Sequence, residues 1–311
     1  MTTDSDSDTD TGTPGEADAE ATGAAVFEEH RPLLMGVSYR MLGRVADAED
    51  VVQEAWLRWS GADRTGVREP RGYLVRVTTR LAIDRLRHLR SRREAYVGPW
   101  LPEPYVTDYA GTVPDAAERA VLADSVSLAV LVVLESLSPL ERAVFVLREA
   151  FGYPYADIAA VLDRGEAAVR QLAGRARKHV DERRPRYEVD PAERRALTER
   201  FLAAAAGGDL AGLMSLLAPD ARLIGDSGGL AKAPVRVIES ADKVARFLHG
   251  AARKGIEAPA FRLAEINGGD ALVVRSGDHV DSVFQLDVAD GRIQCVYTIR
   301  NPEKLRSVPP R

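Results

Sequence analysis

Arginine dominates the chemistry this sequence offers. From Arg64 to Arg93 there are ten arginines against two acids, Glu69 and Asp84. Within the stretch Pro70–Arg93, Arg76, Arg80 and Arg87 fall at i, i+4 and i+11, on one side of a helix. Asp84 is the acid among them. A stability-driven solvated face mixes signs, so a long stripe of one sign points to a polyanion. A second basic cluster, Arg164–Arg186, holds eight basic residues against Glu166, Asp181 and Glu182. Arg170 and Gln171 stand near the start of a short helix, where their side chains can make paired hydrogen bonds to base edges. Arg175, Arg177 and Lys178, one to two turns later, suit phosphates. A further polar set surrounds a leucine at Asp50, Gln53, Glu54 and Leu57, a face suited to docking a protein.

Helical periodicity positions these groups. Leu74, Val77, Thr78, Leu81, Ala82 and Leu89 form the apolar side of the arginine-rich helix, and Pro70 fits its first turn. An amphipathic helix over Phe27–Leu42 ends at Gly43. A second, Ala48–Trp59, has Asp47 as its expected N-cap and a core stripe of Val52, Ala55, Trp56 and Trp59. Asp115–Glu135 reads as a long apolar helix. Ser138-Pro139-Leu140-Glu141 has capping-box spacing and opens a helix to Phe151. Tyr155–Leu162 and Glu166–Val180, joined by Asp163-Arg164-Gly165, read as a helix-turn-helix with Val169, Leu172, Ala173, Ala176 and Val180 inward.

The sequence changes character twice. Gly98–Pro114 carries four prolines and reads as an extended linker whose Trp100, Leu101, Tyr105 and Tyr109 dock on something. After a second linker at Arg183–Pro191, helices at Glu193–Ala206 and Asp209–Leu217 precede strand-like segments. These are Ala221–Ile224, Val235–Ile238, Phe261–Ile266, Ala271–Ser276, Val283–Val288 and Arg292–Ile299, with Asp290-Gly291 as a hairpin turn. The expected fold class is therefore multidomain: two all-α domains, the second with a helix-turn-helix, then an α+β domain. The boundaries are a disordered acidic tail at 1–25, a helical domain at 26–95, a linker at 96–114, the helix-turn-helix domain at 115–185, the α+β domain at 190–300 and a tail at 301–311.

Composition narrows the classes. The net charge of −5 conceals the basic clusters, because seven acids and no Lys or Arg lie in the first 25 residues. No apolar run approaches the roughly 20 residues of a membrane helix, and no secretory signal pattern opens the chain. A single cysteine, Cys295, excludes an internal disulfide and a cysteine-based zinc cluster, and fits a cytoplasmic protein. No cofactor, metal or catalytic residue is expected.

The ordered run of AEDVVQEAWLRW (48–59), PRGYLVRVTTRLAIDRLR (70–87), SPLERAVFVLREAFGYPYADIAAVL (138–162) and AAVRQLAGRARK (167–178) resembles the extracytoplasmic-function group of bacterial sigma-70 factors. The C-terminal domain resembles the SnoaL-like, nuclear-transport-factor-two-like cone-shaped fold that extends a subgroup of these factors. The resemblance implies core RNA polymerase and promoter DNA as partners. Asp50, Gln53, Glu54 and Leu57 would dock on polymerase. Arg76, Arg80, Asp84 and Arg87 would engage the minus-ten element. The helix-turn-helix, with Arg170, Gln171, Arg175, Arg177 and Lys178, would read the minus-thirty-five element. It also implies a regulatory interface of Trp100, Leu101, Pro102, Glu103 and Pro104 with Asp226 and with Asn301, Pro302, Lys304 and Leu305, the linker and the C-terminal motif lying close together. Three readings stay open: an initiation factor regulated in cis by its C-terminal domain; a protein whose C-terminal domain binds or converts a small hydrophobic molecule, with Asp278, His279 and Asp281 as candidate acid-base residues; and a duplex-binding repressor that works without polymerase, which leaves residues 46–93 unexplained.

Overall fold

The computed structural model describes residues 14–93, 95–106, 127–182, 190–253 and 259–310. The first helix, α1, spans Pro14–Leu42. It starts within the segment expected to be a disordered tail, whose residues before Pro14 lie outside the described region. The correction has a local cause: Pro14 suits a first turn, acids near an N-terminus complement the helix dipole, and the alanines between them favour helix. A tertiary tie adds to it, as Trp59 Nε1 donates to the Gly23 carbonyl at 2.8 Å. Helix α2, Val45–Ser60, begins earlier than expected, and its N-cap is Arg44, whose side chain makes no capping bond. Asp47 is instead buried one turn inside and paired with Arg85 at 2.6 Å. The pull of that guanidinium outweighs a local cap.

Helix α3, Pro70–Arg93, is the arginine-rich helix. Leu74, Val75, Thr78, Thr79, Ala82, Ile83, Leu86 and Leu89 are buried, whereas Val77 and Leu81 are half-buried. The buried surface is wider than one stripe because α3 packs on α1 and α2 on one side and on the helix-turn-helix domain on the other. That domain comprises α4 (Leu128–Leu134), α5 (Pro139–Phe145, continued as a wider π-helical turn to Ala150), α6 (Tyr155–Leu162) and α7 (Glu166–Asp181). Of the expected helix Asp115–Glu135, residues 115–126 lie outside the described residues, and α4 starts only after its N-cap Ser127. The capping box at Ser138 and Glu141 is present in both directions. One apolar cluster runs continuously from Phe27 to Val180, so the two helical domains share a core.

The C-terminal domain opens with α8 (Pro191–Gly207) and α9 (Leu210–Leu216). Strand β1 covers Leu217–Asp226 and β2 only Ile238–Glu239. The expected strand at Val235–Ile238 is not formed; Val235 and Val237 are exposed, just after Pro234, which has no N–H to give a ladder. An unforeseen helix, α10 (Ala241–Arg253), buries Val244, Ala245 and Leu248. Strands β3 (Pro259–Ile266), β4 (Gly269–Ser276), β5 (His279–Ala289) and β6 (Arg292–Ile299) complete one sheet of order β2-β1-β6-β5-β4-β3, with β1 parallel to β6 and the other pairs antiparallel. The Asp290-Gly291 turn has both residues at positive φ (52 and 66), as a tight hairpin needs. Helices α8–α10 cover one face, with Phe201, Leu213 and Val244 in one apolar cluster with Leu286 of β5 and Val296 of β6. The opposite face, with Ala271, Val273, Val283, Cys295, Tyr297 and Ile299, is covered by Leu101 of the linker and Leu128 of α4. The sheet therefore packs on the linker and on α4 of the second helical domain, and reaches the first through Asn267 and Tyr39.

Candidate functional site

The linker segment 95–106 lies in the seam between the helical domains and the sheet. Its centre is Asp226 at the end of β1, which is fully buried, as is Lys304. Asp226 Oδ2 accepts from Lys304 Nζ at 2.6 Å and from the Leu101 amide at 2.7 Å. Oδ1 accepts from the Tyr96 hydroxyl at 2.5 Å. Lys304 Nζ also donates to the Leu101 carbonyl at 2.5 Å and sits 4.0 Å from the Trp100 ring centroid and 5.1 Å from that of Tyr96. Asn301 Nδ2 donates to Tyr96 Oη at 2.8 Å, while the Arg300 and Asn301 amides cap the Asp226 carbonyl. This is a buried ion pair whose lone pairs and protons are taken by linker and tail together, the condition under which such a pair holds. Burial, reinforced by the bond to the Asp226 carboxylate, raises the Tyr96 hydroxyl pKa, so Tyr96 stays a donor. Gly228 makes room for the knot: a side-chain carbon there would come within 2.6 Å of Asn301 Nδ2.

Further along, Glu103 reaches the first two helices. Its amide donates to the Gly43 carbonyl at 2.7 Å, its carbonyl accepts from the Tyr39 hydroxyl at 2.7 Å, and Oε2 accepts from the Val45 amide at 3.0 Å. Burial raises its carboxyl pKa, opposed by the bonds from Ser307 and Val45. Gly43 is required twice over, by its φ of 71 and by the Trp100 ring, 2.7 Å from where a side-chain carbon would stand. Asn267 at the β3–β4 turn holds the last linker residues: it exchanges bonds with Tyr105 (3.1 and 2.8 Å) and donates from Nδ2 to Tyr39 Oη at 2.5 Å. Ser307 Oγ donates to the Pro104 carbonyl at 3.1 Å. Thus Trp100–Pro104, Asp226, Asn301, Lys304 and Leu305 are brought together, with Leu101 and Leu305 in one apolar cluster. Pro302 is exposed. Tyr39, Tyr96 and Asn267 were missed in the sequence, and Gly43 was read only as a helix stop; the Asn267-Gly268 pair, which the structure places in left-handed backbone (φ 53 at Asn267), was the available signal for Asn267.

The basic residues divide into engaged and available. Arg80 Nε donates to the Val161 carbonyl in the last turn of α6 at 3.1 Å, so this arginine of the stripe binds the helix-turn-helix. Arg76 is exposed near the Tyr73 ring, and Arg87 pairs with Asp84 in solvent at 2.8 Å. Two more arginines join the helical domains. Arg142, fully buried, donates from Nε to the Arg40 carbonyl at 2.9 Å and pairs with Glu135 at 2.6 Å; Arg90 donates to the Leu137 carbonyl. On α7, Gln171 is exposed and Arg170 pairs with Glu166 while lying over the Tyr155 ring. Arg175 reaches Glu141 at 3.0 Å, Arg177 reaches Glu149 at 2.8 Å, and Lys178 lies 4.0 Å from Glu182. Exposed pairs such as these contribute little and exchange readily for phosphates. On α2, Asp50, Gln53, Glu54 and Leu57 are exposed together, Leu57 at 58%.

The candidate acid-base set is not assembled. Asp278 and His279 are exposed, and Asp281 is bound to Arg300 at 2.6 Å. The titratable group that the sheet does enclose is Asp287, pushed up to about 6 by burial against the opposing charges of Arg222 and Arg194. Burial pushes its cross-strand neighbour Cys295 up to about 12, leaving an inert thiol. Among the described residues no group of three His, Cys, Asp or Glu could hold a metal ion, and no helix is long and apolar enough to cross a membrane.

Comparison with known proteins matches two family models: Sigma-70 region 2 over residues 26–93 and Sigma-70, region 4 over residues 127–180. The chain is 42% identical over 294 residues to the ECF RNA polymerase sigma factor SigJ of Mycobacterium tuberculosis, covering 91% of this chain and 93% of that one. It is 39% identical over 198 residues to the probable ECF RNA polymerase sigma factor SigI of the same species, covering 63% of this chain and 67% of that one. The crystal structure of M. tuberculosis extracytoplasmic function sigma factor SigJ superimposes with a TM-score of 0.75 at 39% identity, covering 93% of this chain and all of that one.

Proposed function

Because this chain belongs to the extracytoplasmic-function sigma-70 family, whose members direct promoter-specific initiation by RNA polymerase, we propose that its C-terminal domain holds the free factor closed until polymerase engages it. The observation that carries this reading is the Asp226–Lys304 knot, which fastens the linker between the two DNA-binding domains to the C-terminal sheet. In the closed form Arg80, assigned to minus-ten DNA, gives its Nε–H to the Val161 carbonyl of the helix-turn-helix while its side chain stays exposed, so one contact residue of the first reader is tied to the second. The α2 face of Asp50, Gln53, Glu54 and Leu57, assigned to polymerase, stays open to solvent. Opening releases Arg80 and separates the domains, so that Arg76, Arg80, Asp84 and Arg87 meet the minus-ten element while Arg170, Gln171, Arg175, Arg177 and Lys178 meet the minus-thirty-five element. This is a shift between two populations, driven by the differential affinity of polymerase for the open one. Run-off transcription with core polymerase tests it. Wild type gives promoter-specific product, and Asp226→Ala reaches half-maximal product at a lower polymerase concentration. Absence of promoter-specific product from both proteins sinks the reading.

Asp287 supports a second role for the C-terminal domain, binding a small hydrophobic molecule with a hydrogen-bond donor at one end. Its half-buried carboxyl stands on β5 opposite Cys295, and desolvation, opposed by the charges of Arg222 and Arg194, raises its pKa to about 6. A ligand-induced rise in melting temperature that is lost in Asp287→Ala is the expected result.

A further inference from the structure

Helix α2 lacks a cap of its own. Arg44 at its N-cap is extended (φ −132, ψ 135) but makes no side-chain capping bond, and the acid inside the first turn, Asp47, is turned toward Arg85. The first intrahelical bond runs from the Ala48 amide to the Arg44 carbonyl at 3.1 Å, which leaves the earlier amides to find other acceptors. The acceptor at Val45 is Glu103 Oε2, at 3.0 Å, from a residue 58 positions away. Glu103 is held for this task. It is 5% exposed, flanked by Pro102 and Pro104, bonded through its amide to Gly43 and through its carbonyl to Tyr39. The next residue along, Pro104, is gripped from the C-terminal tail by Ser307.

We propose that Glu103 is the N-terminal cap of α2 supplied across the chain, so that seating the linker against the C-terminal domain sets the first turn of the helix that docks on polymerase. The link to polymerase rests on the assignment of Asp50, Gln53, Glu54 and Leu57 as the docking face; the cap itself does not. The closed factor then presents a docking helix already formed from its first turn. Withdrawal of the linker removes a carboxylate from the positive end of the helix and frees the Val45 amide. Closure and docking are linked through one side chain, and the linkage runs in both directions.

The test uses the full-length protein in four forms: wild type, Glu103→Ala, Arg44→Ser, and Glu103→Ala with Arg44→Ser, which places a capping hydroxyl on α2 independently of the linker. Amide hydrogen exchange is read at Val45–Glu49, and at Asn267, whose amide is bonded to the Tyr105 carbonyl and reports the linker's seat. In Glu103→Ala the α2 amides exchange about 2- to 30-fold faster, the range set by loss of an N-cap. The second substitution returns them toward wild type and leaves Asn267 unchanged from the single variant. Unaltered exchange at Val45–Glu49 in Glu103→Ala overturns the cap, as does acceleration that Arg44→Ser fails to reverse, which makes Glu103 only an adhesive for the linker. Core polymerase affinity is measured on the same proteins, and the double variant, whose α2 is capped while its linker is in the same state as in the single variant, binds more tightly than the single. Exchange that responds while affinity does not leaves the cap standing and removes the docking assignment.

Discussion

Asp226→Ala should release the seam. The carboxylate accepts from Lys304 Nζ, the Leu101 amide and the Tyr96 hydroxyl, all within 2.7 Å, and the side-chain exposures of Lys304 and Asp226 are 3% and 0%. Removing one partner of a buried pair costs about 3–5 kcal/mol, because the other charge stays buried without compensation. Here the stranded ammonium keeps the Leu101 carbonyl and the Trp100 ring. If the cost falls on domain closure, the closed-to-open ratio drops by about two to three and a half decades, at 1.4 kcal/mol per decade. The pair should be strongly non-additive. Lys304→Met alone leaves Asp226 with two neutral donors and costs less, and Asp226→Leu with Lys304→Met, which buries apolar groups in place of both charges, lies well below the sum of the single effects. Denaturant unfolding of wild type, Asp226→Leu, Lys304→Met and the variant with both closes the cycle, and limited proteolysis in the linker of Asp226→Ala reads out opening. Additivity within about 0.5 kcal/mol, or a linker in Asp226→Ala as protected as in wild type, refutes the reasoning.

Leu57→Ala removes an exposed side chain, so stability stays within about 0.5 kcal/mol of wild type; core polymerase affinity falls at least about tenfold if Leu57 anchors the docking face, as a binding titration would show. On α7, Arg170→Ala should cost about 1–3 kcal/mol and relax preference at one base of the minus-thirty-five element. Lys178→Ala should weaken all sequences alike and reduce the salt dependence of binding by about one ion. Asp287 carries a raised folded pKa of about 6 against 3.8, so its favourable contribution is present below about 3.8 and is lost as pH rises through about 6. Asp287→Asn should therefore stabilise the protein at pH 7.5 by up to about 3 kcal/mol and change little at pH 4, and a lower melting temperature for the variant at pH 7.5 contradicts this.

The elements built from local chemistry were legible in the sequence. The Ser138–Glu141 capping box, the Asp290-Gly291 hairpin, the left-handed stop at Gly43 and the inward stripe of α7 all depend on residues within a few positions of one another. What misled was long-range. Asp47 has the composition and place of a cap, yet Arg85 from α3 claims it and Glu103 takes over the capping. Arg80 reads as a free DNA contact, and only the packing of α6 on α3 shows its bond to Val161. Within the seam, the tryptophan-proline linker and the Asn301–Leu305 motif were visible, but the tyrosines that finish the knot, Tyr96 and Tyr39, carry no local pattern. Asp278 and His279 were attractive as a pair of acid and base types, whereas strand register turns Asp287 rather than either of them toward the sheet interior.

The central claim is that the free factor is closed and that polymerase opens it. A distance measurement between fluorophores at Glu69→Cys, in the first helical domain, and Asp278→Cys, in the C-terminal domain, tests this directly, since both positions are exposed and the native Cys295 is buried. The account predicts one short-distance population in the free protein, and a longer-distance population that grows with core polymerase and saturates with promoter DNA. An unchanged distance distribution in a complex that initiates transcription would contradict it.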